Sequence, residues 1–284
     1  MTVPRAKRVA APRRSGGRAS LSAELKGDRC GPSAGFSRRP LRFNWTKALS
    51  PQQWAIYSKA IQAVRSTSVP FMLGGGFALA SFTGRWRDTK DIDFYIQPGH
   101  RDQVVAALLA AGFKDYFDER PYDRKWIYRS VQSGVIVDII WSMANQRARV
   151  DPLWFERAAQ VELCGQRLLM VPPEELMWCK LYILQRDHCD WTDVFNLLYA
   201  VGPSLDWRHL IWRLDEDVPL LKGLLNVYGW LCPKYVLKLP NDLWKLLGVS
   251  PPKPAPRSKR NHIRLLDSRG WFAAQQSPDR KLEV

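Results

Sequence analysis

The sequence lacks several features that would assign it to a class at once. No apolar run among its 284 residues is as long as a membrane span, which needs about 20 residues. The N-terminus has no apolar segment of the kind found in secretory signal peptides. The five cysteines are odd in number and form no Cys-x-x-Cys pair, so neither a disulfide framework nor a zinc finger is indicated. We therefore expect a cytoplasmic protein that does not enter a membrane.

Acidic residues are scarce relative to basic ones, but the imbalance lies at the two ends of the chain. The net charge is +16, of which residues 1–40 carry +8 and residues 250–284 carry +5, leaving +3 for the rest. Basic tails rich in proline, glycine and serine are usually solvated and disordered, although they could add salt-sensitive contacts to RNA or DNA. Nucleic acid is therefore a partner that only the tails suggest.

Composition and periodicity divide the chain into four segments. We predict a basic leader over residues 1–42, an α/β domain over 43–165, a helical domain over 166–249 and a basic proline-rich tail over 250–284. The middle of the chain is long and apolar enough to bury a substantial core. The predicted fold class is α+β (mixed α/β): a small sheet backed by helices, followed by a helical module.

Local patterns place the elements within this frame. Strands are predicted over Val69–Leu73, Asp91–Ile96, Lys125–Val131 and Val135–Trp141, the last two joined by a turn at Gln132-Ser133-Gly134. Helices are predicted over Pro51–Ser66, from Phe77 to Phe82, over Arg101–Ala111, from Pro172 to about Asp187, from Asp190–Thr192 onward, over Trp207–Leu214 and over Pro219–Tyr228.

Three aspartates on two of these strands predict a metal site. Alternate side chains of a strand share a face, so Asp91 and Asp93 project together. Adjacent carboxylates repel unless a cation lies between them, and Mg²⁺ prefers such oxygen ligands together with substrate phosphates. Asp138 is the only charge in an apolar run, where a buried carboxylate needs a partner or a metal. If the two strands are neighbours, the three acids could bind one or two divalent ions.

Three glycines, Gly74 to Gly76, lie between a predicted strand and a predicted helix. Glycine lets the backbone approach a phosphate, and a helix N-terminus offers free N–H donors at the positive end of its dipole. The segment is not a Walker loop, because no Gly-Lys-Ser/Thr follows, and it lacks the Gly-x-Gly-x-x-Gly spacing of a dinucleotide fold. Each signal alone is weak, but the order of strand, glycines, helix, basic loop and acidic strands indicates phosphate chemistry.

Two segments carry a family resemblance. Residues 75–80 (Gly-Gly-Phe-Ala-Leu-Ala) and 87–94 (Arg-Asp-Thr-Lys-Asp-Ile-Asp-Phe) resemble the DNA polymerase beta-like nucleotidyltransferase superfamily. They are most similar to its small bacterial members of the AbiEii toxin type and the aminoglycoside type, over roughly residues 54–200. Phe77 departs from the pattern, because many relatives have Ser or Thr there, and a phosphate contact from that side chain is not expected.

The resemblance implies roles for particular residues. It implies catalytic, metal-binding acids at Asp91, Asp93 and Asp138, and nucleotide-binding residues at Gly75, Gly76, Thr89, Lys90 and Lys180. Lys180 lies on an otherwise apolar helix face, where a lysine either extends outward to solvent or reaches an anion. Trp86, in the loop before the acids, is a hypothetical platform for a nucleobase or an acceptor ring.

The implied function is Mg²⁺-dependent transfer of a nucleoside monophosphate from an NTP to an acceptor hydroxyl, with release of pyrophosphate. The acceptor (a small molecule, tRNA or a protein) is not legible in the sequence. One alternative is a catalytically degenerate member of the fold that binds nucleic acid through its basic tails. In that case Asp91 is dispensable, and deleting the tails abolishes binding. The other alternative is the toxin of a toxin–antitoxin pair, which a neighbouring antitoxin gene would indicate.

Overall fold

The computed structural model describes residues 43–86, 89–253, 262–266 and 272, so the predicted leader and most of the predicted tail lie outside the described residues. The helices are α1 (Trp45–Ala48), α2 (Pro51–Ser66), α3 (Gly75–Thr83), α4 (Arg101–Ala110), α5 (Pro152–Arg157), α6 (Pro173–Leu181), α7 (Trp191–Val201), α8 (Trp207–Leu214), α9 (Val218–Leu231), α10 (Pro233–Val236) and α11 (Asn241–Leu246). The strands are β1 (Met72–Leu73), β2 (Asp91–Tyr95), β3 (Lys114–Asp115), β4 (Ile127–Gln132), β5 (Val135–Ile140), β6 (Ala159–Leu163) and β7 (Gln166–Met170).

The seven strands form one mixed sheet in the order β3-β4-β5-β2-β1-β7-β6. The central pair, β2 and β5, is parallel, and β4 joins β5 in an antiparallel hairpin. Helices α2 and α4 pack against each other and against β5, while α3, α6 and α7 pack together and α3 also contacts β2 and β7. The predicted mixed α/β class, with helices toward the C-terminus, is confirmed.

Helix bounds agree with the predictions where a cap and an apolar period coincide. In α2, the Ser50 side chain accepts a hydrogen bond from the Gln53 amide at 3.2 Å, and proline follows at the first helical position. The prediction that α6 continues to about Asp187 was wrong, because the helix ends at Leu181. The chain then folds back on itself, and the Asp190 amide donates to the Ile183 carbonyl at 2.9 Å.

The hairpin of β6 and β7 was not predicted from the sequence. Its turn consists of Cys164 and Gly165, both with positive φ (46° and 78°), a conformation that asparagine or glycine usually supplies at the first position. Strand β7 runs parallel to β1, pairing Met170 with Leu73. The sheet therefore extends beyond residue 165, where the sequence suggested that the helical part begins.

Two described pieces of the C-terminal tail pack on the helical module. The His262 ring stacks on Trp230 with 4.6 Å between ring centroids, and its Nδ1 lies 2.7 Å from the Trp230 carbonyl oxygen. Phe272 stacks on Tyr199 with 4.9 Å between centroids. Within the described residues, no helix is both long and apolar enough for a membrane crossing.

Candidate active site

The three predicted acids lie together at the centre of the sheet. Asp93 and Asp138 are directly paired across the parallel strands β2 and β5, and Asp91 lies two residues before Asp93 on the same face. One carboxylate oxygen from each of the three lies within 4.8 Å of the others. Asp138 is only 1% exposed. The strand neighbourhood on which the metal prediction depended is therefore present.

The loop that leads into β2 is held by helix α2. The hydroxyl of Thr89 donates a hydrogen bond to the Asp91 carboxylate, which fixes that side chain beside its neighbours. The Gln53 amide group donates to the Thr89 carbonyl at 2.7 Å. The Tyr57 hydroxyl lies 3.3 Å from the carbonyl oxygens of Thr89 and Asp91. Thr89, predicted as a nucleotide ligand, thus orients an acid of the triad.

Asp138 has a partner that the sequence analysis did not identify. Arg129 on β4 donates from Nε to Oδ1 at 2.7 Å and from Nη2 to Oδ2 at 2.6 Å, a two-pronged ion pair. Burial raises the pKa of Asp138 above its ordinary value, although the Arg129 guanidinium opposes that shift. Hydrogen bonding to Asp138 in turn raises the pKa of Arg129. The negative charge of the buried Asp138 carboxylate is therefore balanced by the positive charge of Arg129.

The glycine turn meets the acids directly. The Gly74 amide donates to the Asp93 carbonyl at 3.0 Å, and Gly75 has φ of +48° with its Cα against the Asp93 carboxylate. A Cβ on Gly75 would overlap Oδ2 of Asp93, whereas one on Gly76 would make ordinary contact with Thr89 Cγ2 at 3.5 Å. The first intrahelical bond of α3 is donated by Ala78. The N–H groups of Gly75 and Gly76 thus have no partner within the helix.

Ionisation of Asp93 is disfavoured by its surroundings. Burial raises the pKa of its carboxyl group well above the ordinary value, and the charges of Asp91 and Asp138 raise it further. Lys180 and Arg129 lower it but do not cancel the shift. A divalent cation among the three carboxylates would relieve this repulsion, and hard carboxylate oxygens are suitable ligands for Mg²⁺. The donor set therefore fits a divalent metal ion.

The raised pKa of Asp93 predicts a pH-dependent stability in metal-free protein. Because the folded-state pKa exceeds the unfolded one, the contribution of this carboxyl group to stability is complete at low pH. It is lost as the pH rises from the ordinary aspartate value through the folded-state value. In the presence of a metal chelator, we expect the Asp93→Asn variant to have a higher melting temperature than the wild type at pH 7. This difference in melting temperature should become smaller toward pH 4. Equal melting temperatures across that range would contradict the account.

Lys180 is held by two carboxylates at the start of α7. Its Nζ donates to Asp190 Oδ2 at 2.5 Å and to Asp193 Oδ2 at 2.8 Å, and all three side chains are buried. Burial lowers the pKa of Lys180, but the two aspartates outweigh it and raise the pKa overall. The lysine therefore stays charged. Its ammonium group lies close enough to Asp93 to lower the pKa of that acid.

Removal of the Lys180 charge is expected to destabilise the fold. Lys180→Met leaves two buried carboxylates without this cation, and breaking such a buried pair costs about 3–5 kcal/mol. For a chain of this size each kcal/mol corresponds to about 2–4 °C in Tm, so a drop on the order of 10 °C is expected in thermal unfolding. Lys245→Met is the matched control, because Lys245 pairs with Asp242 on the surface, where both side chains are at least 77% exposed. An equal drop in both variants would refute this assignment.

Two other predicted loop residues have different surroundings. The Trp86 ring packs edge-on against Phe77 (5.2 Å between centroids) and Trp45 (5.6 Å), in an aromatic cluster under α3. Its indole nitrogen is buried. This packing does not support Trp86 as a base-stacking platform. The Lys90 side chain is exposed, and its carbonyl accepts a hydrogen bond from the Ile136 amide at 2.9 Å.

Comparison with known proteins identifies the family to which the chain belongs. A family model described as "Uncharacterised nucleotidyltransferase" matches residues 43–227. Among solved structures, the antibiotic-resistance factor ANT(2'')-Ia is similar at 16% identity, over 63% of this chain and 90% of that chain, with a TM-score of 0.37. The lincosamide antibiotic adenylyltransferase LnuA, in its lincomycin-bound form, is 16% identical over 53% and 97%, with a TM-score of 0.38. An antigenic nucleotidyltransferase-like protein from Paracoccidioides brasiliensis is 17% identical over 71% and 95%, with a TM-score of 0.37. No curated protein matches the sequence.

Proposed function

Because the chain belongs to this nucleotidyltransferase family, we propose that it moves a nucleoside monophosphate from an NTP to an acceptor hydroxyl and releases pyrophosphate. The observation that carries the proposal is the meeting of three carboxylates, within 4.8 Å of one another, with the open N-terminus of a helix. Phosphoryl chemistry depends mainly on positioning and on charge neutralisation, and these two features supply both.

The acids are proposed to hold Mg²⁺. Asp91 and Asp93 would be its principal ligands, and Asp138 would complete the set. When bound, Mg²⁺ would neutralise charge on the phosphates and favour ionisation of the attacking hydroxyl. Each Asp138 oxygen has two lone pairs, and the bond from Arg129 uses one of them, so a further contact remains available at both oxygens.

The remaining residues are proposed to position the substrates. The N–H groups of Gly75 and Gly76, which have no partner within the helix, would donate to the triphosphate at the positive end of the α3 dipole. Lys180 would add a fixed positive charge near Asp93, with Asp190 and Asp193 setting its position. Asp138 would accept the proton of the acceptor hydroxyl, since it lies at the other end of the acid group.

Incubation with labelled substrates tests this function. The purified protein would be mixed with α-phosphate-labelled NTPs, Mg²⁺ and a cell extract, which is then separated into RNA, protein and small-molecule fractions. We expect label in one fraction, together with pyrophosphate release that chelation of Mg²⁺ abolishes. Absence of label from every fraction, with no pyrophosphate release from any NTP, would refute the proposed function.

A further inference from the structure

Arg129 belongs to a line of functional side chains that crosses the sheet. It is directly paired with Asp138 across the antiparallel strands, and Asp138 is directly paired with Asp93 across the parallel strands. Directly paired residues point to the same face of a sheet. Beyond Asp93 comes Gly75, whose Cα touches the Asp93 carboxylate. The order across the sheet is therefore arginine, acid, acid, phosphate-binding turn.

The Arg129 guanidinium is fixed and still open to a ligand. Two of its five N–H donors bond to Asp138, and among the described residues the other three have no hydrogen-bond partner. Its side chain is 32% exposed, whereas that of Asp138 is 2% exposed. The guanidinium also lies over the Tyr116 ring, 5.9 Å from the centroid. The buried Asp138 carboxylate thus holds the partly exposed Arg129 guanidinium in one orientation beside the acids.

The two ends of this row of residues, Gly75 and Arg129, are placed to bind the two substrates of the reaction, the NTP and the acceptor. In an in-line displacement the attacking oxygen and the leaving pyrophosphate lie on opposite sides of the transferred phosphorus. If the triphosphate binds at the Gly75 end, the acceptor approaches from the β4 end, where Arg129 lies. An anionic group of the acceptor could accept hydrogen bonds from the three Arg129 donors that have no partner among the described residues.

We propose that Arg129 binds a phosphate of the acceptor and that the acceptor is of the nucleotide class, with its base against the aromatic rings of the β3–β4 connection. This inference rests on the proposed function. Tyr116, Phe117 and Tyr122 supply those rings, all only partly buried, and the Tyr122 hydroxyl accepts from the Arg129 amide at 2.7 Å. A free nucleotide and the 3′ end of an RNA share this chemistry.

Four acceptors distinguish these possibilities. A short single-stranded RNA, adenosine monophosphate, adenosine and an aminoglycoside would each be supplied with α-phosphate-labelled NTP and Mg²⁺. We expect kcat/KM for at least one phosphate-bearing acceptor to exceed that for adenosine by about tenfold or more. The aminoglycoside is expected to remain unlabelled. Preference for RNA over adenosine monophosphate would identify a polynucleotide end as the source, and the reverse would identify a free nucleotide.

The Arg129→Lys variant tests whether this residue provides the preference. Because Arg129 also holds Asp138, kcat is expected to fall with every acceptor. The informative quantity is therefore the ratio of phosphate-bearing to neutral acceptor, which should fall about tenfold while the KM for NTP stays within about twofold. Arg124→Lys is the control, because Arg124 lies 4.0 Å from the Phe117 centroid but pairs with Asp115. The control should keep the wild-type ratio.

If Arg129→Lys fails to fold, Tyr116→Ala leaves the Arg129–Asp138 pair in place and should raise the KM of every acceptor that carries a base, adenosine included, without changing the KM for NTP. An unchanged KM for these acceptors would also overturn the inference. Equal use of adenosine and the phosphate-bearing acceptors, or labelling of the aminoglycoside alone, would overturn this inference and leave the proposed function standing. An unchanged acceptor ratio in Arg129→Lys would also overturn it. No pyrophosphate release with any acceptor or cell extract would overturn both.

Discussion

Replacement of Asp93 by asparagine is expected to lower Mg²⁺-dependent pyrophosphate release by more than about 10³-fold, beyond the 10²–10³ that loss of one oxyanion donor costs. Asp93 lies within 4.8 Å of the other two acids and against Gly75 of the glycine turn, so it would hold the metal ion next to the triphosphate bound there. Asparagine has nearly the same shape, which preserves the contact with Gly75. The charge alone is removed, and the loss should appear in kcat.

The matched control for this change lies on the surface of α4. Asp102 has a side chain that is 89% exposed and pairs with the adjacent Arg101. We expect Asp102→Asn to retain activity within about twofold, as surface substitutions usually do. Pyrophosphate release by a folded Asp93→Asn variant at a level comparable to that of Asp102→Asn would contradict the proposed role of the acids.

Gly75→Ala is expected to impair both activity and stability. The positive φ at Gly75 costs about 1–2 kcal/mol for a residue with a side chain, and the added methyl group would overlap Oδ2 of Asp93. The acid must then move, and displacement of a catalytic group by about 1 Å can cost about 10²-fold in rate. Steady-state kinetics and urea unfolding would measure the two effects.

Gly76→Ala separates this effect from a general intolerance of the turn. Its added Cβ makes only ordinary contact with Thr89 at 3.5 Å. Alanine is also favoured over glycine within a helix by about 0.5–1 kcal/mol, so stability should be retained or increased. If the Gly75→Ala variant were as stable as the Gly76→Ala variant, the close contact between Gly75 and Asp93 would be contradicted.

The acidic strand could be predicted because a period of two determines which side chains share a face. Asp91 and Asp93 required no knowledge of the rest of the sheet, whereas Asp138 depended on the pairing of β2 with β5. The helices α2 and α8 were predicted with the bounds that the structure has, because side-chain caps at Ser50 and Asp206 coincide with apolar periods. In these places local and tertiary preferences agree.

The sequence does not place Arg129 beside Asp138, because the turn predicted before β5 is one residue longer than the observed turn. A three-residue turn at 132–134 would pair Arg129 with Val137 and place it on the other face. The observed turn has two residues, Ser133 and Gly134, with φ of 49° and 76°. Gln132 then pairs with Val135, and Arg129 falls opposite Asp138. A slip of one residue in register thus hid the partner of the buried acid.

The end of α6 and the second hairpin could not be predicted for a different reason. The sequence after Leu181 continues with residues that a helix tolerates, and the helix stops where Lys180 is bound by Asp190 and Asp193 from the next element. The hairpin of β6 and β7 has a Cys164-Gly165 turn, which resembles no common hairpin signal. The end of α6 thus depends on contacts with the next element, whereas the hairpin depends on a turn that has no recognisable signal in the sequence.

The most direct test of the central claim is the position of the metal ion. Crystals would be grown with Mn²⁺ and a non-hydrolysable NTP, and anomalous scattering would locate the manganese. The account predicts manganese bound to carboxylate oxygens of Asp91 and Asp93 at about 2.0–2.4 Å, with the triphosphate on the Gly75 and Gly76 amides. Manganese bound elsewhere, or a triphosphate bound away from the glycine turn, would contradict it.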